Sequence, residues 1–546
     1  MLYDVIVVGG GVAGLMAAIE AKTNNNKVAL ITKGNLFKSN SSIASGGINA
    51  VLDPNDKDGI RFHVVDTMRA CFGIEKRKAI TYMCERAPHI IEKLVDFGVA
   101  FDKDENGKIA QRSFGGGRTQ RTCFVGDKTG AAITQALIKK AKSVGVTFLV
   151  NNFVMNLTHL NNRVSGVVAL RRSDSSLMVY PAKSVVLAGG GYAGIYRGHT
   201  TNAQDYAGDM LALALRAGLN LKDMEFVQFH PTGLHKTSYL VSEAARGEGG
   251  YLINEKGERF VNELERRNVV SSAISRQIEA GHKVYIDLRH LPKELIETRL
   301  PSLYKAAYNQ AGIDVTQEPL EIRPVAHYSM GGIESNMTKT SIKGLFVCGE
   351  CAAEGIHGAN RLGGNSLLEG AVFGELAGKN ALACSQNRDF LPIDYNLVIK
   401  DQKLIDWIFD MDSSKNFNAM RVSMGEAMFK YAGIHRDEDG LQKLFDYLKY
   451  LRKEAITLHC IDKGRANNVE LISILELRNA LEVAEAVVLS AMFRKESRGA
   501  HHRDDYKKDD ITLQKSILVS EPKKGFFDVR YEDKGLIKWI RNLIKG

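Results

Sequence analysis

No apolar run in this sequence reaches the roughly 18 residues that a membrane-spanning helix needs, so a chain that crosses a bilayer by helices is not expected. Cysteine is scarce: the seven present are scattered through 546 residues, which gives neither a disulfide framework nor an iron–sulfur or haem spacing. No metal site is expected on that ground. A basic leader is also missing, because MLYDVIVVGG runs directly into apolar residues; the expectation is a cytoplasmic chain with reduced thiols. Internal repeats and low-complexity tracts are absent. The formal net charge is +10, yet no basic run is interleaved with aromatics as a nucleic-acid groove requires. Anionic substrates and a solvated basic face account for that charge, and no nucleic-acid partner is expected.

What is present is a globular composition, 44% hydrophobic and 25% charged, long enough for two to four domains at ~100 to 200 residues each. DVIVV at 4–8 reads as a buried strand, LMAAIEAKTN as a helix and VALIT at 28–32 as a second strand, which together make a βαβ unit. SVVLAGGG (184–191) and GLFVCGE (344–350) are further strands that end in glycine, the second followed by a helix near LLEGAVFGELAGKNAL. Parallel strands with glycine at their carboxyl ends face a ligand in a doubly wound sheet. Residues 231–342 are more polar and carry short strands (GYLINEKGERFVN, KVYIDLR), as an inserted lid would. The pattern turns helical from about 400 to 495, and the last fifty residues are charged and irregular. The expected architecture is α/β: a discontinuous Rossmann-like dinucleotide-binding domain (1–230 and 343–395), an α+β capping domain (231–342), a helical domain (396–495) and a small C-terminal region (496–546).

Gly9-x-Gly11-x-x-Gly14 lies between the first strand and helix, where glycines allow a tight turn and bring a pyrophosphate close to the helix N-terminus. The acid that commonly ends the second strand is missing; the chain has Thr32 and Lys33 there. Residues 40–50, NSSIASGGINA, are small and uncharged, and suit extended backbone contact with a flavin held through catalysis.

ASGGINA, FGGGRTQRTC, MEFVQFHPTGL, SEAARGEGG, AHYSMGGIE, HGANRLGGNSLLE and ESRGAHHRDD, in this order, resemble the motifs of the flavoprotein subunits of fumarate reductase and succinate dehydrogenase, with L-aspartate oxidase as a relative. The likeness runs from residue 1 to about 505. It implies FAD, bound by Gly9, Gly11, Gly14, Thr32, Lys33, Asn40, Ser41, Ser42, Ala44, Gly46, Gly47, Asp209, Glu350, Asn365, Ser366 and Leu367. It implies that Arg267 delivers a proton to fumarate, with Glu243 and Arg246 as its relay and neighbouring Arg266 as the alternative. An arginine is a weak acid, so such a relay must restore its proton. His230, Ser242, His327 and Arg361 match the substrate-carboxylate ligands, and these cations and imidazoles suit a clamp on a small dicarboxylate. Where the family has Arg-Asp, this chain has Arg267-Asn268. Cys348 and Cys351 read as packing residues rather than a redox dithiol.

Aspartate oxidases resemble a pattern with glutamate ahead of Gly-Gly, which meets the substrate ammonium; here Phe114 stands there, and an apolar ring would leave that charge unpaired. The resemblance therefore favours fumarate or succinate, in respiration or the tricarboxylic acid cycle, with aspartate oxidation as the alternative. It also implies an iron–sulfur subunit and, through it, a membrane anchor, placing the chain peripherally on the cytoplasmic face. The charged end, KKDD and EDKGLIKWIRNLIKG, reads as solvated surface with a short amphipathic helix, or as an aid to docking. Covalently flavinylated members carry a histidine six residues before the Gly-Gly pair; here that position is Asn40. The expectation is a non-covalent FAD and a tilt towards fumarate reduction.

Overall fold

The computed structural model describes residues 1–532 except 54, 204, 205, 387, 411, 413 and 414. The end helix read from the charged tail falls outside the described residues.

The first strand, β1 (Tyr3–Val8), is apolar and buried from Val5 onward, with Asp4 half-buried near its start, because parallel neighbours flank it on both sides and helices cover both faces. It pairs in parallel with β2 (Val28–Thr32) and with the end of the strand Ser176–Leu187. Thr147–Val150 extends this parallel sheet beyond β2, and Leu345–Val347 pairs with Ser176–Leu187. The start of Ser176–Leu187 belongs instead to an antiparallel ribbon with Arg163–Arg171 and Asn152–Leu160. Helix α1 (Val12–Ala21) packs along the long helix Asn365–Gln386; a Cβ on Gly374 would lie 2.5 Å from the Ala13 carbonyl oxygen, so small residues set this close crossing.

The cap is an antiparallel sheet in the order Val227–Leu234, Leu320–Ser329, Val284–Asp287, Tyr251–Asn254. Helices Arg267–Glu279, Lys293–Arg299 and Pro301–Ala311 cover it over a core that includes Leu252, Val270, Ile274, Ile286 and Ile322. Among the described residues four helices follow Asn365–Gln386, of which Val469–Phe493 is buried on nearly every side and shares one apolar core with the main sheet. The C-terminal stretch is not irregular throughout: Ile517–Lys523 and Phe526–Tyr531 form a hairpin whose first strand pairs with Leu221–Lys222. Alternation in ILVSEPK, apolar inward at Ile517 and Val519, drives that pairing. No described helix is long and apolar enough to cross a membrane.

Candidate active site

A cavity of about 480 Å³ opens at the carboxyl end of the parallel sheet. Gly9, Gly11, Thr32, Lys33, Asn40, Ser41, Ser42, Ala44, Asp209, Glu350, Ser366 and Leu367 line it. Gly14, Gly46, Gly47 and Asn365 stand behind this lining. Gly14 lies against Gly9, where a Cβ would fall 1.9 Å from the Gly9 carbonyl oxygen, and Gly9 itself has φ +118°. Asn365 bonds to Asn49 (2.9 Å) and to Thr67 (3.0 Å), bracing the start of its helix. The residues fit an adenine dinucleotide: the tight loop brings the first amides of α1 to the cavity, and the Val12 amide meets the Ser41 hydroxyl at 3.2 Å.

The missing acid at the end of β2 has a structural counterpart. Lys33 Nζ lies 2.7 Å from Asp209 and 2.7 Å from Glu476, so a lysine just past the strand fixes an acid supplied by the helix Asp209–Arg216. Burial acts against its charge, but the two carboxylates outweigh it and raise the Lys33 ammonium above its ordinary value. Asn40 spends its amide on neighbouring backbone and side chain: Nδ2 donates to Asn202 (2.5 Å) and Oδ1 accepts from the Ala203 amide (3.0 Å). Glu350 accepts from the Ser329 amide and hydroxyl, both at 3.0 Å; burial pushes its carboxyl up to about 7.

A cationic cluster adjoins this cavity where the cap meets the main sheet. Ser242 caps the short helix Glu243–Gly247 through the Ala244 amide and so points Glu243 inward. Glu243 then divides its two oxygens. Oε2 takes Arg267 Nε (2.9 Å) and Nη2 (2.7 Å), while Oε1 takes the Gly115 amide (3.0 Å) and lies 3.9 Å from Arg246 Nη2. Burial alone would raise this carboxyl; Arg267 and Arg246 outweigh it and hold Glu243 below the usual range. Arg246 is fully buried and donates Nη1 to the Glu263 carbonyl, with Nε and Nη2 lacking a hydrogen-bond partner among the described residues. The adjacent Arg266 is turned away, its guanidinium 5.6 Å from the Phe72 ring centroid.

Arg361 sits over the Tyr328 ring at 4.2 Å; burial, then the nearby Arg267 charge, bring its guanidinium down to about 10. The two cations share one acceptor that no motif position had singled out. Gln228 Oε1 accepts from Arg267 Nη1 (3.1 Å) and from Arg361 Nη2 (3.2 Å), and its Nε2 donates to Asn360 Oδ1 (2.8 Å) and the Arg361 carbonyl (2.9 Å). The signal was available: Gln228 lies two residues before His230 on one strand, hence on the same face. Asn268 takes no part in orienting Arg267; it meets the Gly499 carbonyl (3.4 Å) and Asn360 (3.5 Å).

His230 and His327 come from the paired strands Val227–Leu234 and Leu320–Ser329, with ring centroids 5.2 Å apart. Burial first, then the charge of Arg267, holds both imidazoles well below the ordinary value, so each is neutral at pH 7. The Thr232 amide donates to His230 Nδ1 at 3.2 Å. That leaves the ring hydrogen on Nε2. His327 Nδ1 meets Thr201 Oγ1 at 2.8 Å, and His327 also lines the cofactor cavity, so the cluster and the cavity are continuous. Phe114 closes the opposite side, half-buried between Gly46 and Gly363, where added Cβ atoms would each lie 3.0 Å from its ring. Cys348 and Cys351 are buried, free thiols.

Comparison with known proteins follows the same division. Residues 4–367 match the model of an FAD binding domain, and 421–539 that of the fumarate reductase flavoprotein C-terminal region. The chain is 39% identical to the succinate dehydrogenase flavoprotein subunit of Rickettsia bellii, over 92% of this chain and 90% of that one. It is 35% identical to the fumarate reductase flavoprotein subunit of Escherichia coli, over 97% and 93%. A solved quinol-fumarate reductase with menaquinol molecules superposes with a TM-score of 0.94 at 35% identity, covering 98% of each chain.

Proposed function

This chain belongs to the fumarate reductase and succinate dehydrogenase flavoprotein family, and from that premise we propose how its own residues interconvert fumarate and succinate. When bound, FAD supplies the hydrogen and electron pair that reduce the alkene, or accepts them in reverse. Arg361 and the Nε2 hydrogen of His230 hold one substrate carboxylate, with His327 beside them, and draw negative charge towards it as the alkene is reduced. Arg267 gives its proton to the alkene carbon. The proton that Arg267 loses is restored through the Glu243 carboxylate hydrogen-bonded to it. Arg246, whose Nη2 lies 3.9 Å from the far oxygen and closes on it in the transfer, gives a proton to that oxygen, Glu243 gives one to Arg267, and solvent reprotonates Arg246. The carrying observation is the division of Glu243 between Arg267 and Arg246 while Gln228 ties Arg267 to Arg361.

The test is turnover of flavin-loaded protein in both directions: fumarate with reduced viologen and succinate with a dye acceptor. Activity in neither assay overturns the reading. Aspartate oxidation is opposed by Phe114, which offers a substrate ammonium no partner; hydrogen peroxide formed from aspartate in air would reinstate it.

FAD is held without a covalent bond in this reading, because Asn40 has no nucleophilic ring nitrogen and its amide is engaged by Asn202 and Ala203. Acid precipitation then leaves the yellow colour in the supernatant; colour in the pellet contradicts it. The unbonded flavin goes with fumarate reduction as the working direction, in anaerobic respiration. Relatives named as flavoprotein subunits support an iron–sulfur partner and, through it, a membrane anchor on the cytoplasmic face.

A further inference from the structure

Two His-Arg dipeptides from distant parts of the chain meet as a pair of short parallel strands, His435 opposite His502 and Arg436 opposite Arg503. Side chains alternate across a strand, so the two arginines share one side and the two histidines the other. The arginines are fully buried; Arg503 is paired with carboxylates, whereas Arg436 is held by neutral acceptors. Arg436 donates to the Glu225 carbonyl (2.8 Å) and His501 Nδ1 (2.8 Å), and Arg503 pairs with Asp505 (2.7 Å) and Glu438 (2.7 Å). The histidines are left facing outward with ring centroids 4.9 Å apart and planes at 86°.

Asp504 completes a triangle. Its Oδ1 lies 3.4 Å from His435 Nδ1 and 3.4 Å from His502 Nε2, and the three donor atoms lie within 4.8 Å of one another. These separations are long for N–H···O bonds, which cluster at about 2.7–3.2 Å. They match the edge of a tetrahedron, about 3.4 Å, for ligands about 2.1 Å from a central ion. The second nitrogen of His435, Nε2, faces Ser272 Oγ at 3.3 Å, the kind of outer partner that fixes a metal-bound imidazole. Asp504 is half exposed, which leaves a route in from solvent and room for water.

We propose that His435 Nδ1, His502 Nε2 and Asp504 Oδ1 form a binding site for one zinc ion, with water completing the coordination. Two imidazoles and one carboxylate select a zinc-type ion over magnesium or calcium, which take oxygen ligands. The expectation of no metal rested on local spacing, and this set is assembled only by the strand pairing. Arg276, exposed on the neighbouring wall, and the buried Arg436 on the other side of the strand pair are charges that oppose a cation. The site is separate from the cationic cluster, although a cavity of about 330 Å³ lined by His502, Ser272, Asn268 and Gln228 lies between them. A bound ion fastens the end of the helix Phe417–Ala432 to the loop after Val469–Phe493, beside the cap helix Arg267–Glu279.

The experiment uses flavin-loaded protein treated with a chelator and then titrated calorimetrically with Zn²⁺, and in parallel with Co²⁺ as a spectroscopic probe. One saturable ion per chain is expected, not displaced by excess Mg²⁺, with visible cobalt d–d bands, no thiolate charge-transfer band and a raised melting temperature. His502→Ala and Asp504→Asn each weaken Zn²⁺ binding by at least about tenfold, and Ser272→Ala by about tenfold. Asp504→Asn alters a half-exposed side chain, and retained flavin content shows that it has folded. Absence of saturable binding, equal binding by both ligand variants, or a thiolate band that places the ion on cysteine overturns the proposal. None of these outcomes depends on turnover, so the site can fail while the proposed reaction stands.

Discussion

Gln228 holds two guanidinium groups on one amide oxygen, and without it Arg267 and Arg361 would face each other with no shared acceptor. Hydrogen bonds to charged groups contribute about 1.5–3 kcal/mol, so Gln228→Leu is expected to raise KM for fumarate roughly ten- to hundredfold. Steady-state kinetics check this, and an unchanged KM contradicts it. Arg267→Gln keeps a polar group but removes the transferable proton. Its kcat is expected to fall by about 10² to 10⁴ with KM changed far less, and a loss confined to KM would recast Arg267 as a binding residue. At this scale the motifs were informative where chemistry is carried by unusual types, such as arginine and histidine in glycine-rich loops. Gln228 carries no such mark, because a glutamine within a strand looks like any other polar residue until its partners are known.

The glycine loop and α1 act as one element. Gly14 is packed on Gly9, where a Cβ would fall 1.9 Å from backbone oxygen, so Gly14→Ala must push strand and helix apart. Overpacking of this kind costs about 1–3 kcal/mol. The purified variant should carry much less flavin than the wild type, as read from the ratio of visible to ultraviolet absorbance; full flavin content contradicts this. The apolar runs at β1 and β2 were legible because both faces of each are buried, and Val469–Phe493 by its helical pattern. Asn152–Leu160 was harder to see: Asn156 and Thr158 are buried there and hydrogen-bonded, which blurs the expected pattern. The C-terminal hairpin shows the reverse, a modest alternation within a charged tail that becomes a strand because Leu221–Lys222 offers an edge.

Over the whole molecule, Lys33 joins the cofactor cavity to the helical region through Asp209 and Glu476, and Arg421 lies 3.2 Å from the second oxygen of Glu476. Removing one member of a buried ion pair costs about 3–5 kcal/mol, so Lys33→Met should lower stability by about that much in urea unfolding; a change below the error of the fit argues against the coupling. Glu350 gives a pH dependence of definite sign. Its carboxyl is raised from 4.5 to about 7 by burial, so the native state binds more protons than the unfolded one between those values. That stabilisation is complete below about 4.5 and is lost as pH rises through 7. Flavin-free wild type should therefore lose ground to Glu350→Gln by up to about 1.4 kcal/mol per pH unit across that window, and a constant difference contradicts it. The sequence by itself determined the dinucleotide loop, the small-residue seat, the cationic residue types and the lack of a histidine at position 40, since each depends on side-chain chemistry within a short span. Only the tertiary structure decided that Glu243 lies between Arg267 and Arg246, that Gln228 spans two arginines, that Lys33 recruits Asp209 and that His435 meets His502. Apart from the Glu243–Arg246 contact, which lies within one short helix, these contacts join residues far apart in the chain, and no local pattern records which segments will pack together.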